Sequence, residues 1–193
     1  SKSYFNTLDI SGKVDSNLEV ECKYKLDRYT NIFSCMGTVD TYNMKPLIIA
    51  NMFNKDSSTK NSFWCTLFGN EVKMDTTQEF VGVHTIKMNK TGVYLDGVLK
   101  AELNQDYEYK TKYNFVQPLA ILAHNYWNSV QNLSHETIYY VTLRQNGETI
   151  LDFRPCIDDD GIVCLYESVN DVYYKSTGEV NGFGNPSHTP IKY

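Results

Sequence analysis

Long apolar runs are what this sequence most plainly lacks. No stretch approaches the roughly 18–20 apolar residues that a membrane-spanning helix needs. The opening Ser1-Lys2-Ser3-Tyr4-Phe5 has none of the apolar region of a secretory leader. No membrane insertion is expected, and the missing initiator Met suggests either a trimmed chain or a domain cut from a longer one. Sustained 3.6-residue periodicity is also missing, so no helix of ten or more residues is expected. Positive charge is sparse: 18 Lys and Arg against 23 Asp and Glu leave a net charge of −5. Scattered cations in an acidic chain leave no electrostatic footprint for nucleic acid, and no such partner is expected.

Catalytic signatures are absent in the same way. The chain has no Gly-rich phosphate loop, no His-Glu-x-x-His and no Gly-x-Ser-x-Gly. Its four histidines, His84, His124, His135 and His188, are dispersed. Cysteine is present but odd in number: Cys22, Cys35, Cys65, Cys156 and Cys164. Without a CxxC pair this argues against both a disulfide framework and a zinc site. Cys22, Cys65 and Cys164 sit at apolar positions and are expected to be buried, reduced thiols. Cys156 and Cys164 flank a turn and could face each other across a hairpin.

Short alternating segments are what the chain does have. From Leu18 to Asp27, apolar and charged residues alternate for ten positions, the period of a strand with one wet face. Further strands are expected at Ile32–Met36, ended by Gly37, and at Leu47–Phe53, a run apolar enough for the centre of a sheet. Residues 57–62 read as a loop. Gly69-Asn70, Lys90-Thr91-Gly92, Asp96-Gly97 and Asn146-Gly147 are hairpin turns with the positive-φ residues such turns require. Pro118–Ala123 reads as a buried strand, 124–135 as a polar loop with two large aromatics, and Gly178–Pro190 as a surface tail. Aromatics at 13% suit pleated, half-buried surfaces. The fold class expected is a single all-β domain over residues 1–193, a two-layer antiparallel sandwich.

Three segments carry a family likeness. They are Tyr4–Ile10 with the strand that follows, the hairpin His84–Gly97, and above all Ile138–Leu143 through Leu151-Asp152-Phe153-Arg154-Pro155-Cys156 to Asp160-Gly161, Leu165-Tyr166 and Tyr173-Tyr174. Together they resemble laminin-G-like, concanavalin-A-like jelly-roll domains, of the kind found in tail and fibre proteins of gut phages and in bacterial surface proteins. The resemblance implies a jelly roll used in adhesion, a glycan or cell-surface receptor as partner, other subunits of a multimeric assembly, and a place on a virion or cell surface. It implies no metal ligand set that can be placed on this chain.

Trp127 and Tyr126, flanked by Asn125, Asn128 and His124, are the candidate ligand-binding residues. Flat rings can stack on the apolar side of a pyranose while amides and an imidazole meet its hydroxyls; a Trp folded back over a sheet edge is the plainer alternative. Asp158-Asp159-Asp160-Gly161 offers carboxylates to a hard cation, so Ca2+ is the one cofactor left open, but the spacing is that of a solvated hairpin turn. No Glu-x-Asp-x-x-Glu of the jelly-roll hydrolases occurs, and Glu19 and Glu21 read as a solvent-facing row. Asn89-Lys90-Thr91 and Asn132-Leu133-Ser134 are formal glycosylation sequons. A lectin-like recognition domain without catalytic residues is therefore expected. A structural module of a virion or surface assembly and a jelly-roll glycoside hydrolase are the alternatives.

Overall fold

The computed structural model describes residues 5–7, 10, 12–28, 33–40, 45–53, 61–75, 77–103, 119–121, 124–126, 129–131 and 137–175. These residues form strands almost throughout. The first half supplies β1 (Phe5–Asn6), β2 (Leu18–Leu26), β3 (Phe33–Asp40), β4 (Lys45–Phe53), β5 (Asn61–Leu67), β6 (Asn70–Asp75), β7 (Gly82–Asn89), β8 (Gly92–Leu95) and β9 (Val98–Glu102). The second half supplies β10 (Ala120–Ile121), β11 (His124–Tyr126), β12 (Ser129–Gln131), β13 (Thr137–Gln145), β14 (Glu148–Ile157), β15 (Val163–Glu167) and β16 (Val172–Lys175). The one helical element among the described residues is a 3-10 turn at Gln78–Phe80. No described helix is long and apolar enough to cross a membrane.

The strands pair antiparallel into two large sheets. The larger has the order β16-β15-β14-β13-β2-β7-β8-β9, and the smaller β1-β10-β3-β4-β5-β6. β2 joins two meanders, β7–β9 on one side and β13–β16 on the other. Its alternation is visible directly: Leu18, Val20, Cys22, Tyr24 and Leu26 are buried, and the residues between them are half-buried. The inward residues meet Leu47, Ile49, Phe63, Cys65 and Leu67 of the smaller sheet in one core. Tyr24 and Phe63 lie 5.8 Å apart, ring centre to ring centre, and Phe63 stacks on Phe80 at 5.1 Å. The Tyr24 hydroxyl donates to the Phe80 carbonyl, so the polar tip of a fully buried ring is satisfied. Burial, then the charge of Asp96, holds its phenol well above the ordinary tyrosine value. The chain is an all-β, two-layer antiparallel sandwich.

Several expectations change in detail. Gly37 does not end its strand: β3 runs through it to Asp40, with Gly37 paired to both Ile48 and Ala120. A glycine between two neighbours on a central strand is tolerated where the ladder on both sides supplies its hydrogen bonds. The turn after β5 is Phe68-Gly69, one residue earlier than the Gly-Asn signal, because Leu67 pairs with Asn70. Phe68 takes a φ of 53° there, and complete burial of its ring offsets that backbone strain.

The cysteine expectation is corrected for one pair. Cys22 and Cys35 are joined by a disulfide that ties β2 of the larger sheet to β3 of the smaller. Alternation turns the Cys22 sulfur inward, whereas Cys35 sits at a bulge of β3 between Ser34 and Met36, and residue spacing alone does not reveal that the two meet. A closed loop of this size stabilises a fold by about 3 kcal/mol in the chain-entropy account. Cys65, Cys156 and Cys164 are free and buried, as expected for Cys65 and Cys164.

Candidate functional site

The outer face of the larger sheet is a connected polar network. Glu19 and Glu21 alternate outward from β2, and the register sets Arg144 of β13 opposite Glu19 and Thr142 opposite Glu21. Arg144 Nη1 lies 3.2 Å from Glu19 Oε1 and 3.9 Å from Glu21 Oε2. From the other side, Lys87 of β7 reaches Glu19 at 3.7 Å and lies over the Tyr94 ring at 5.0 Å. The Tyr140 hydroxyl donates to Glu21, and the Arg154 guanidinium lies 4.6 Å above the Tyr140 ring. Burial, reinforced by the bond to Glu21, raises the Tyr140 phenol above its ordinary value. Arg154 also pairs with Asp152, which accepts from Thr142. Glu19 and Glu21 are only 28% and 23% exposed. They form the outward-facing row that alternation suggested, half-buried because cross-strand partners cover them.

At one end of this face three turns meet around a pocket of about 460 Å3. Asn17 enters from the turn before β2, Asn89 and Lys90 from the β7–β8 turn, Asn146 and Gly147 from the β13–β14 turn, with Glu19 and Arg144 on its sheet side. Each turn is fixed by its own sequence. Asn146 and Gly147 take φ of 54° and 82°, the backbone of the tight hairpin that Asn-Gly favours. Asn89 Oδ1 accepts from the backbone N–H of Thr91 and of Gly92, an Asx turn that leaves its amide nitrogen 3.4 Å from Glu19 Oε2.

Side chains then tie the turns to one another. Asn17 Nδ2 donates to Asn146 Oδ1 at 2.9 Å, and Lys90 Nζ donates to Asn17 Oδ1 at 3.0 Å. Asp15 and Gln145 bond reciprocally, backbone to side chain and side chain to side chain. Leu18, the one large apolar residue of the lining, is fully buried. The pocket therefore presents amides, a carboxylate, a guanidinium and an ammonium. Those groups recognise a ligand by hydrogen bonds more than by apolar burial, and the volume falls within the ~300–1,000 Å3 of ligand sites.

Of the residues expected to bind, Trp127 and Asn128 lie outside the described residues. His124, Asn125 and Tyr126 are strand β11, and only their backbone is described. They pair antiparallel with β12, so the expected loop at 124–135 contains a two-stranded ribbon. Polar residues at nearly every position hide its alternation. The ribbon is a separate two-stranded sheet lying beside β3 of the smaller sheet, whereas the pocket belongs to the larger one.

Asp158 serves its own turn. Its Oδ1 accepts from the N–H groups of Asp160 and Ile162, and Lys175 pairs with Oδ2 at 3.1 Å. The bond from Ile162, then the Lys175 ammonium, holds its carboxyl below the ordinary aspartate value. Among the described residues no group of three His, Cys, Asp or Glu could hold a metal ion.

Asn17, Arg144 and Lys90 escaped the sequence reading as site residues. Their turns were legible, but no signal in the sequence says that those turns share one end of one sheet. No protein-family model matches the chain, and a search of curated proteins finds no match.

Proposed function

We propose that the chain is a lectin-like recognition domain whose polar pocket at the end of the larger sheet binds a polyhydroxylated ligand, a glycan of a cell surface. The observation that carries this reading is the convergence of Asn17, Asn89 and Asn146 from three separate turns beside Glu19 and Arg144. Planar amide and carboxylate groups pair with neighbouring sugar hydroxyls two at a time, and a rigid sheet holds them in place without the target having to order a loop. The cross-sheet disulfide supports an extracellular setting, because such bonds persist in oxidising compartments. The resemblance to concanavalin-A-like jelly rolls of phage tails and bacterial surface proteins supports the same setting. The domain belongs, on this reading, to a larger surface or virion assembly and binds without turnover.

A panel of bacterial surface polysaccharides tests this directly. The unmodified protein should retain at least one of them. Glu19→Gln and Arg144→Ala should each weaken retention tenfold or more, while Trp127→Ala and Tyr126→Ala leave it intact. Loss in the aromatic variants alone would move the site to the segment 124–131. Retention of no glycan, with tight self-assembly in solution, would favour a structural module.

A second reading draws on Glu19 and Glu21, two carboxylates side by side on one strand with Arg144 across both. Release of reducing ends from the retained polysaccharide, abolished by Glu21→Gln, would make the domain a glycoside hydrolase.

A further inference from the structure

The register of β14 and β15 places Cys156 directly opposite Cys164. Residues facing each other across antiparallel strands have Cα atoms about 4.5–5.5 Å apart, inside the range a disulfide spans. Their sulfurs are 2.8 Å apart, and each sulfur also lies near the carbonyl oxygen of the other residue. Both side chains are essentially inaccessible to solvent, at 0% and 1%. Sulfurs pointed at each other with no room between them are one oxidation away from a covalent bond.

We infer that Cys156 and Cys164 form a second disulfide in the mature protein, leaving Cys65 as its single thiol. The inference resolves the odd cysteine count: one bond between the sheets, one within the larger sheet, and one cysteine in the core. It does not depend on the glycan reading. The oxidant is a small-molecule or protein disulfide. One cysteine thiolate attacks the oxidant, forms a mixed disulfide and releases one thiol. The second cysteine sulfur, losing its proton, attacks the mixed disulfide and releases the other thiol. The protein loses two hydrogens and two electrons pass to the oxidant, which becomes two thiols.

Timing follows from burial. Burial and the neighbouring sulfur push the Cys156 thiol up to about 12, and burial likewise raises Cys164. A buried thiol of that kind exchanges slowly, so the bond should form while the chain folds and resist reductant afterwards. Once closed, it clamps β14 to β15 across the turn that Asp158 organises.

Alkylation read by mass spectrometry tests the inference on the unaltered chain. Protein folded with glutathione and its disulfide, then denatured and alkylated without reductant, should take up one label, on Cys65. Peptide mapping should recover the Cys156 and Cys164 peptides joined, and prior reduction should raise the count to five labels. Alkylation of Cys156 and Cys164 after that treatment, or linkage of either to Cys65, would overturn the inference. Cys156→Ser with Cys164→Ser, if it folds, should take up the same single label as the unaltered protein, while the joined peptide disappears.

Discussion

Arg144 and Glu19 face each other across β13 and β2 with Nη1 and Oε1 3.2 Å apart, and the same guanidinium reaches Glu21 at 3.9 Å. One cation thus joins two carboxylates at the point where the sheet's outer face opens into the pocket. In a double-mutant cycle with Arg144→Met and Glu19→Gln, the pair should couple by about 0.5–1 kcal/mol in urea unfolding, as expected for partly exposed ions. A coupling near zero would mean that the pair does not hold Arg144 in place.

Glu167 is a buried carboxylate that holds four hydrogen bonds. Fully buried on β15, it accepts from the backbone N–H of Asp152, Val169 and Asn170 and from the Asn170 amide. Glu167→Ala strands those donors and should cost about 2–4 kcal/mol, measured by the urea midpoint. Glu167→Gln turns an NH2 toward N–H donors and should fall between the two. A fully stable Glu167→Ala would show that water replaces the carboxylate.

Gly92 begins β8 where the chain has no spare volume. A Cβ there would overlap the Ala101 carbonyl oxygen on β9 and crowd Leu99. Gly92→Ala should therefore destabilise by about 1–3 kcal/mol, the range for overpacking, and should loosen β9. Hydrogen exchange of β9 amides checks this, and unchanged protection would contradict it.

The Asp158 turn should respond to acid. Its carboxyl is held below the ordinary value by the Ile162 N–H and by Lys175, so the folded chain binds this proton less readily than the unfolded one. The contribution is therefore complete above the unfolded value near pH 4 and is lost as the pH falls through the lower, folded value. The difference in urea midpoint between the unmodified protein and Asp158→Asn should be constant at neutral pH and shrink below about pH 4. A difference that grows on acidification would contradict the assignment.

Much of the fold could be read from the sequence, for reasons visible in particular residues. Leu18–Leu26 alternates because one side of β2 faces the core, and Asn146-Gly147 makes its turn by local backbone preference alone. The Cys22–Cys35 bond and the β11–β12 ribbon were not legible. The first depends on which strands stack across the sandwich, and the second on pairing between segments with little apolar alternation. The resemblance read in the sequence rests on the Phe153-x-Pro155-Cys156 and Leu165-Tyr166 segments, where Phe153 and Leu165 are core residues and Cys156 faces Cys164. Such residues report a fold and say little about its ligand. The pocket could be read only in parts, as turns whose meeting place is a property of sheet order.

Asn146→Gly offers the most direct test of the proposed site, because glycine keeps the positive-φ turn while deleting the amide. Calorimetric titration with a glycan retained by the unmodified protein should show at least a tenfold loss of affinity in this variant, about 1.4 kcal/mol, with the urea midpoint lowered only slightly by loss of the exposed bond from Asn17. Equal affinity in Asn146→Gly and the unmodified protein, with binding lost on Trp127→Ala, would place recognition elsewhere and contradict the account.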